Sequence, residues 1–331
     1  EQNMADLKAQ VGANETGRQG LLKVADQYGL DVVTAYMGHV QDNAEESVRR
    51  VLSELPDGRY SYEMDHGARI EVAVTVDRAA REAVIDFTGT SPQHSGNYNA
   101  PFSICRAVVL YVFRTLVGTN IPLNEGCLTP LKIVAPEGTM LNPAYPAAVI
   151  AGNTEVSQAM CNALYGALGV IAGSQATMNN FVWGNDKFQN YETIAGGTGA
   201  GPGFDGCDAV QSHMTNTRMT DPEILEKRFP VRLEEFGIRP GSGGSGKWRG
   251  GHGALRRLRF LSPVTVTTLC SHRRVPPFGV DGGEPGAVGL NWAELPDGRR
   301  IDLKGNDEID LPAGAVFGLA TPGGGGWQKP E

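Results

Sequence analysis

The sequence predicts an α+β fold, with helices concentrated in the earlier part of the chain and strands in the later part. Apolar residues between positions 31 and 52 recur with the period of a helix. Between residues 70 and 76 the period changes to two, which is typical of a strand with one solvated face. We therefore expect two packed lobes: residues 1–221 form a helical and mixed α+β lobe, and residues 222–331 form a β-rich C-terminal lobe.

The elements of the first lobe follow from these periods. Residues 3–10 and 18–28 are predicted helices, and Gly29 ends the second one. A third helix begins after Asp31 and ends at the turn of residues 56–58. Strands over residues 70–76 and 83–87 follow, and then a helix over residues 104–117.

The later elements are assigned in the same way. Residues 122–146 are irregular and rich in proline, and residues 155–172 form an apolar helix with small residues suited to close packing. Residues 222–228 are a short helix. In the remaining chain, strands are predicted over residues 255–260, 264–269, 300–311 and 315–320.

Composition limits the class of protein and its partners. With 331 residues, 40% of them hydrophobic, the chain is long enough for more than one core. Lys+Arg 29 against Asp+Glu 37 gives a net charge of −8, without a basic block, so nucleic acid is not an expected partner. No apolar run spans a bilayer, and the five scattered cysteines predict reduced thiols. We expect a cytoplasmic protein, and the start without Met indicates part of a longer one.

Two motifs resemble functional signatures but have simpler explanations. Residues 241–247 nearly match a phosphate-binding loop, yet Trp248 stands where a magnesium-binding hydroxyl is required, and a strand follows instead of a helix. His39 and Asp42 have HxxD spacing on a predicted helix, but no third ligand lies nearby. The first is predicted to be a structural glycine loop and the second a solvated helix face, so no metal ligand is assigned.

The polar segment of residues 191–221 is the best candidate for a functional site. Many of the 44 glycines cluster here beside polar side chains, and hydrogen-bond donors on tightly turned backbone suit an oxyanion or phosphate-like ligand. A structural hydrogen-bonding loop is the alternative. Two further polar clusters interrupt apolar surroundings: Asn153 with Glu155, and Thr177 with Asn179 and Asn180.

Several stretches in this order resemble the hydantoinase B/oxoprolinase family. They are residues 86–91 (DFTGTS), 99–101 (NAP), 122–127 (PLNEGC), 146–153 (PAAVIAGN), 178–180 (MNN), 191–221, 239–244 (RPGSGG) and 321–326 (TPGGGG). The resemblance starts inside the family pattern, so the chain looks like the later portion of a B-type subunit or domain of a 5-oxoprolinase or N-methylhydantoinase. The HxxD-containing segment that related carboxylases associate with metal has no counterpart here.

The resemblance implies a reaction and partners. A hydantoinase A-type, ATP-binding subunit or domain would use ATP and Mg²⁺ to phosphorylate the amide oxygen of a small lactam. The B-type part would host the attack of water on the activated carbon, which requires a base, an anion clamp and oxyanion donors. Any metal would come from the missing N-terminal part. We also expect the chain to form homo-oligomers and to be inactive alone.

Roles for individual residues follow as hypotheses from that resemblance. Asp205 or His213 would be the base, Arg218 the anion clamp, and Asn216 an oxyanion donor. The other residues are assigned to binding or orienting the substrate: Asn153, Glu155, Asn180, Glu192, Gly196, Gly197, Thr215, Thr217 and Asp221.

Two alternatives stay open at this stage. The chain could instead belong to an ATP-dependent acetone or acetophenone carboxylase, which uses the same activation with a carbon nucleophile. It could also be a non-catalytic scaffold for the ATP-binding partner, with the polar segment as an interface. The sequence does not distinguish 5-oxoproline from hydantoin as the lactam.

Overall fold

The computed structural model describes residues 2–330 and confirms the α+β class. The helices are α1 (Gln2–Tyr28), α2 (Leu30–Glu54), α3 (Phe102–Leu116), α4 (Ser157–Leu168) and α5 (Pro222–Arg228). The strands are β1 (Gly58–Glu63), β2 (Arg69–Asp77), β3 (Glu82–Asp86), β4 (Leu131–Val134), β5 (Asn180–Gly184), β6 (Gln189–Glu192), β7 (Val231–Arg239), β8 (Gly253–Phe260), β9 (Val264–Leu269), β10 (Leu290–Glu294), β11 (Arg300–Leu303), β12 (Asn306–Leu311) and β13 (Val316–Ala320).

The first sheet has the order β1-β2-β3-β4, and only its β3–β4 pair is parallel. The alternation predicted for β2 is present: Ile70, Val72 and Val74 are buried while their neighbours are more exposed. Helix α4 packs on β1 and β2, and α3 packs on α4. This arrangement forms the first apolar core, which draws its buried residues from positions 44–168.

The other two sheets are antiparallel, with orders β11-β10-β13-β8-β7 and β12-β9-β5-β6. Their buried side chains form a second apolar core from residues 181–319. The β12-β9-β5-β6 sheet takes two strands from each side of residue 221. Residues up to the end of α4 therefore contribute to the first core, and residues from β5 onward contribute to the second. The predicted boundary between two lobes at residue 221 stays a prediction.

The first two helices differ in detail from the predicted ones. Residues 2–28 form one continuous helix where the sequence predicts two shorter pieces, and Gly29, at φ 85°, separates α1 from α2. Only a residue without a Cβ adopts such a backbone angle readily, which explains the break. Within the described residues, none of the helices combines the length and apolar character required to cross a membrane.

Sequence reasoning missed six strands, which are β1, β4, β5, β6, β7 and β10. Strand β6 is only four residues long and mostly polar, and β7 is an edge strand whose side chains are mostly exposed. Neither carries a period-two apolar signal, because edge strands present few side chains to the core. Strands β5 and β6 matter most, because they position the candidate site.

Candidate functional site

The glycines of the predicted site lie in a tightly packed backbone junction. Three segments, residues 196–206, 243–251 and 323–326, form what we call the glycine junction. A Cβ on Gly197 would lie 1.9 Å from the carbonyl oxygen of Gly251, and one on Gly324 would lie 1.8 Å from that of Thr198. The Gly197 amide already donates to the Pro322 carbonyl at 2.9 Å. Backbone packing thus accounts for these glycines, and a role of Gly196 and Gly197 in substrate binding stays a prediction.

The same packing surrounds the glycine loop that resembles a phosphate-binding motif. Added Cβ atoms on Gly244 and Gly246 would meet backbone atoms at 2.1 Å and 2.7 Å. Directly after this loop, the amide of Trp248 donates a hydrogen bond to the carbonyl of Trp327 at 3.1 Å. The loop therefore offers no open cradle for phosphate, which agrees with its predicted structural role.

Glu192 ends β6 and forms a buried ion pair with Arg256 on β8. Both side chains are 2% exposed. The Arg256 Nε donates to Oε2 at 3.0 Å and its Nη2 donates to Oε1 at 2.9 Å. Since both carboxylate oxygens have charged partners, Glu192 is held in one place within the second core.

His213, which belongs to the polar segment, has a buried side chain. Its Nδ1 lies 3.1 Å from the Tyr111 hydroxyl, and its Nε2 lies 3.2 Å from the Ser174 hydroxyl. Burial lowers its pKa to about 4, so the imidazole is neutral at pH 7. Because each ring nitrogen lies within hydrogen-bond distance of a hydroxyl group, both already have a protein partner.

Two of the predicted acidic site residues have defined structural contacts. The exposed Asp205 accepts a hydrogen bond from the Arg249 amide at 2.8 Å. Asp221 caps the N-terminus of α5 by accepting from the Glu223 amide at 3.2 Å. Each carboxylate thus satisfies a backbone donor, as Asp commonly does in turns and helix caps.

Residues 215–218 run along the surface beside the end of β6. The Thr217 hydroxyl contacts the Thr193 hydroxyl and lies 3.4 Å from that of Thr215. Asn216 and Arg218 are exposed. This group is available to a ligand or to a partner surface, and it lies apart from the buried contacts of His213.

Glu155 is the most unusual of the predicted residues. It lies on a π-helical turn, Gly152–Val156, that leads into α4, and such turns are frequent at functional sites. Its side chain is fully buried, and Oε1 accepts from the Met178 amide at 3.1 Å and from Asn180 Nδ2 at 2.8 Å. The other oxygen, Oε2, is buried without a hydrogen-bond partner. Asn153, on the same turn, is exposed.

Burial raises the pKa of Glu155 to about 7. The hydroxyls of Ser271 and Thr177, the Met178 amide and the charge of Arg273 act in the opposite direction and lower it. The carboxyl group is therefore distributed between its acid and base forms near neutral pH. A group in that condition takes up and returns protons readily, which is the property of a general base.

Asn180 connects this carboxyl group to the surface. Its Nδ2 also donates to the Leu269 carbonyl at 2.6 Å, and its Oδ1 accepts from the Tyr191 hydroxyl at 2.7 Å. Tyr191 is 52% exposed, and its pKa is raised by burial and by the charge of Glu155. The structure thus brings Glu155, Asn180 and Tyr191 together, although the sequence placed them in separate polar clusters.

A pocket of about 620 Å³ lies beside this group. We call it the polar pocket; its walls include Tyr98, Cys270, Arg273 and residues 289–291 and 302–306. Burial raises the pKa of both Tyr98 and Cys270, and the charge of Glu155 raises both further. The Cys270 thiol also contacts the Asn180 carbonyl at 3.7 Å, and Asn180 holds Glu155, so one residue connects the carboxyl group to the pocket wall.

Sequence reasoning missed the polar pocket because its walls come from widely separated segments. Tyr98 belongs to a loop before α3, and its hydroxyl donates to Asn306 Oδ1 at 3.0 Å. Cys270 and Arg273 follow β9. The adjacent pair Arg273 and Arg274 after a strand was the only local signal, and it did not stand out from ordinary surface charge.

A metal of the kind associated with the related carboxylases finds no set of ligands among the described residues. Across residues 2–330, no three His, Cys, Asp or Glu side chains lie close enough together to hold a metal ion. His39 Nδ1 and Asp42 Oδ2 lie 3.9 Å apart on an exposed part of α2. We therefore derive no chemical step through a metal.

Comparison with known proteins agrees with the sequence resemblance. Residues 1–330 match the family model described as hydantoinase B/oxoprolinase. The chain is 45% identical to 5-oxoprolinase 1 of Arabidopsis thaliana over 98% of its length, and 44% identical to the 5-oxoprolinase of Dictyostelium discoideum over 99%. It spans 27% of the length of each of these relatives.

Solved structures show the same fold. The ATP-dependent caprolactamase of Pseudomonas jessenii superposes with a TM-score of 0.80 at 25% identity, covering 98% of this chain and 61% of that one. A nucleotide-free acetone carboxylase superposes with a TM-score of 0.83 at 19% identity, covering 94% of this chain and 50% of that one. From the match over residues 1–330 and the identities above, the chain belongs to the hydantoinase B/oxoprolinase family.

Proposed function

We propose that this chain carries out the ring-opening step of an ATP-dependent cyclic amide hydrolase, with 5-oxoproline as the first substrate to test. Its 44–45% identity to two 5-oxoprolinases supports the reaction class. The observation that carries the proposal in the structure is the buried Glu155 carboxyl, whose pKa is about 7 and whose Oε2 has no hydrogen-bond partner.

The chemistry requires activation before hydrolysis, because the carbonyl carbon of an amide is a poor electrophile. An A-type subunit or domain, with ATP and Mg²⁺, would transfer a phosphoryl group to the lactam oxygen. Water then attacks the activated carbon while the Glu155 carboxylate removes a proton from it. The same carboxyl returns the proton to the ring nitrogen as the C–N bond breaks, and a second water releases phosphate.

Glu155 is our choice of base over Asp205 and His213 for physical reasons. His213 has a pKa of about 4, and both of its ring nitrogens lie within hydrogen-bond distance of hydroxyl groups. Asp205 is exposed and accepts from the Arg249 amide. Glu155 is buried, has one oxygen without a hydrogen-bond partner, and has a pKa of about 7, near the working pH of most enzymes.

Other groups would orient the carboxyl and bind the leaving anion. Asn180 fixes Oε1 of Glu155 at 2.8 Å and connects it to Tyr191, and the proposal requires the attacking water to reach the buried, unpartnered Oε2. Arg218 is exposed and has no carboxylate within ion-pair distance among the described residues, so it remains our candidate phosphate clamp. Asn216 and the threonines on either side of it would supply neutral donors.

The test uses the complete enzyme, containing this chain and its ATP-binding part. We expect 5-oxoproline-dependent ATP hydrolysis and glutamate formation, and a fall of about 100-fold or more in glutamate formation for Glu155→Gln, the magnitude typical of losing a general base. Glu223→Gln makes the same chemical change on an exposed helix residue and should retain wild-type turnover.

Two results would count against the proposal. If the complete enzyme opens neither 5-oxoproline nor hydantoin in the presence of ATP, the proposed function is wrong. If the complete enzyme opens the ring, and the Glu155→Gln and Glu223→Gln variants form glutamate at the same rate, the proposed function stands. The assignment of Glu155 as the base is then wrong.

A further inference from the structure

The polar pocket carries more positive than negative side chains. Its four cations are Arg273, Arg274, Arg300 and Lys304, and its carboxylates are Asp65 and Asp302. Arg300 pairs with Asp302 at 2.8 Å, and Arg274 pairs at 2.6 Å with Glu63, which lies outside the pocket. Arg273 and Lys304 have no ion pair with a described residue, so they supply the excess positive charge.

Asp65 does not neutralise Arg273, although the two residues are in contact. Its carboxylate accepts the backbone amides of Arg273 at 2.6 Å and of Val275 at 2.8 Å. It therefore shapes the loop that carries Arg273 while the guanidinium group points elsewhere. The guanidinium has no carboxylate within ion-pair distance among the described residues, although its charge extends to Glu155 and lowers the pKa of that group.

The Arg273 guanidinium is held in place by neutral acceptors alone. Its Nε and Nη2 donate to Asn291 Oδ1 at 3.1 Å and 2.9 Å, and its Nη1 donates to the Ser271 carbonyl at 2.8 Å. A guanidinium has five N–H groups, so two remain for a ligand. A Cβ on Gly289 would lie 2.4 Å from Nη1, which shows how closely the backbone encloses the group.

A second arginine increases the local positive potential. Arg239 donates to the carbonyls of Val288 at 2.8 Å and Thr321 at 3.0 Å, again neutral acceptors. Burial and the charge of Arg273 lower its pKa, so the two guanidinium groups repel each other. Like charges in a partly buried setting are unfavourable, and a bound anion relieves the repulsion.

We infer that Arg273 is an anion-binding residue of the polar pocket and determines specificity for lactams that carry a carboxylate group. The inference rests on the proposed ring-opening function and names the substrate class of the same site. A guanidinium with two free N–H groups matches the two oxygens of a carboxylate. Lys304 is exposed at the edge of the pocket and adds a weaker, longer-range attraction.

The test compares a charged and a neutral lactam of the same ring size in the complete enzyme. We expect the wild type to prefer 5-oxoproline over 2-pyrrolidinone, and Arg273→Gln to raise KM for 5-oxoproline about tenfold to 100-fold, the range for a lost charge-assisted hydrogen bond. KM for 2-pyrrolidinone should not change. Lys304→Gln should raise KM for 5-oxoproline only a few-fold.

The neutral lactam also separates carboxylate binding from phosphate binding. A guanidinium that binds the transferred phosphate would affect both lactams equally, and that result would overturn the inference. Arg273→Lys, which keeps the charge, should recover part of the affinity for 5-oxoproline. If the Gln variant folds poorly, the Lys variant provides the same test. If the enzyme opens 5-oxoproline and KM is unchanged in both Arg273 variants, the inference fails while the proposed function stands.

Discussion

Two buried glutamates in this chain, Glu155 and Glu192, have opposite environments. The side chain of Glu192 is 2% exposed and has both oxygens bonded to the guanidinium of Arg256. Glu155 is 0% exposed, has only neutral hydrogen-bond donors, and leaves one oxygen unpartnered. The first carboxylate is therefore fixed as part of the core, whereas the second keeps the freedom to change its protonation state.

The difference follows from the free energy of burying charge. Removing a carboxylate from water costs several kcal/mol, which a well-aligned guanidinium offsets by Coulomb attraction. No ion pair offsets this cost at Glu155, so the folded protein favours the protonated, neutral form of the carboxyl group more than water does. A sequence search for buried acids would have ranked the two residues equally, because the distinction depends on Arg256, which lies on another strand.

The largest predicted effect concerns the paired glutamate. Arg256→Met leaves Glu192 buried without a counter-charge, and we expect a loss of about 3–5 kcal/mol in the free energy of unfolding. Urea unfolding followed by circular dichroism measures the loss. The double variant Glu192→Leu/Arg256→Met removes both charges and should recover most of it. A loss below about 1 kcal/mol in the single variant would show that Glu192 does not depend on this pair.

A smaller effect is predicted for the pH dependence of stability. The pKa of Glu155 is about 7 in the folded chain against 4.5 for an ordinary Glu, so the folded state binds more protons between these values. Its stabilising contribution is complete below pH 4.5 and is lost as pH rises through 7. The loss is on the order of 3 kcal/mol. Glu155→Gln lacks this change, so its stability relative to the wild type should rise by about this amount between pH 4.5 and 8.

The measurement is urea unfolding of both proteins between pH 4.5 and 8, with the difference between them plotted against pH. His213 acts in the opposite sense, because its lowered pKa of about 4 makes the chain lose stability as pH falls from 6.5. Subtracting the two curves removes that contribution, since both proteins contain His213. A flat difference curve would mean that Glu155 titrates normally, and the contrast with Glu192 would disappear.

The smallest predicted effect tests the connection from Glu155 to the surface. Tyr191→Phe removes the hydroxyl that donates to Asn180 at 2.7 Å, and we expect a loss of about 1 kcal/mol in stability. Turnover by the complete enzyme should fall a few-fold, because Asn180 positions the carboxyl. Tyr145→Phe is the matched control, since Tyr145 is 98% exposed. Equal turnover in the two variants would remove Tyr191 from the site.

The sequence predicted the fold class, most helices and the alternating strands, because periodicity reports which face of an element is buried. It also identified Glu155 and Asn180 as polar residues in apolar surroundings. It did not predict that Asn180 joins Glu155 to Tyr191, since strand pairing brings β5 and β6 side by side and β6 has little apolar signal. The polar pocket escaped prediction because its residues meet only in three dimensions.

The glycine junction has a consequence for how the chain folds during synthesis. The Thr321 hydroxyl donates to the Ala195 carbonyl across 126 residues of sequence, and the segment of residues 323–326 packs against residues 196–206. The glycine-rich stretch beside the candidate site therefore stays without its packing partner until nearly all of these residues have left the ribosome. Contacts of such separation slow folding. Among the described residues, the site should therefore become ordered after the first apolar core, which is built from residues 44–168.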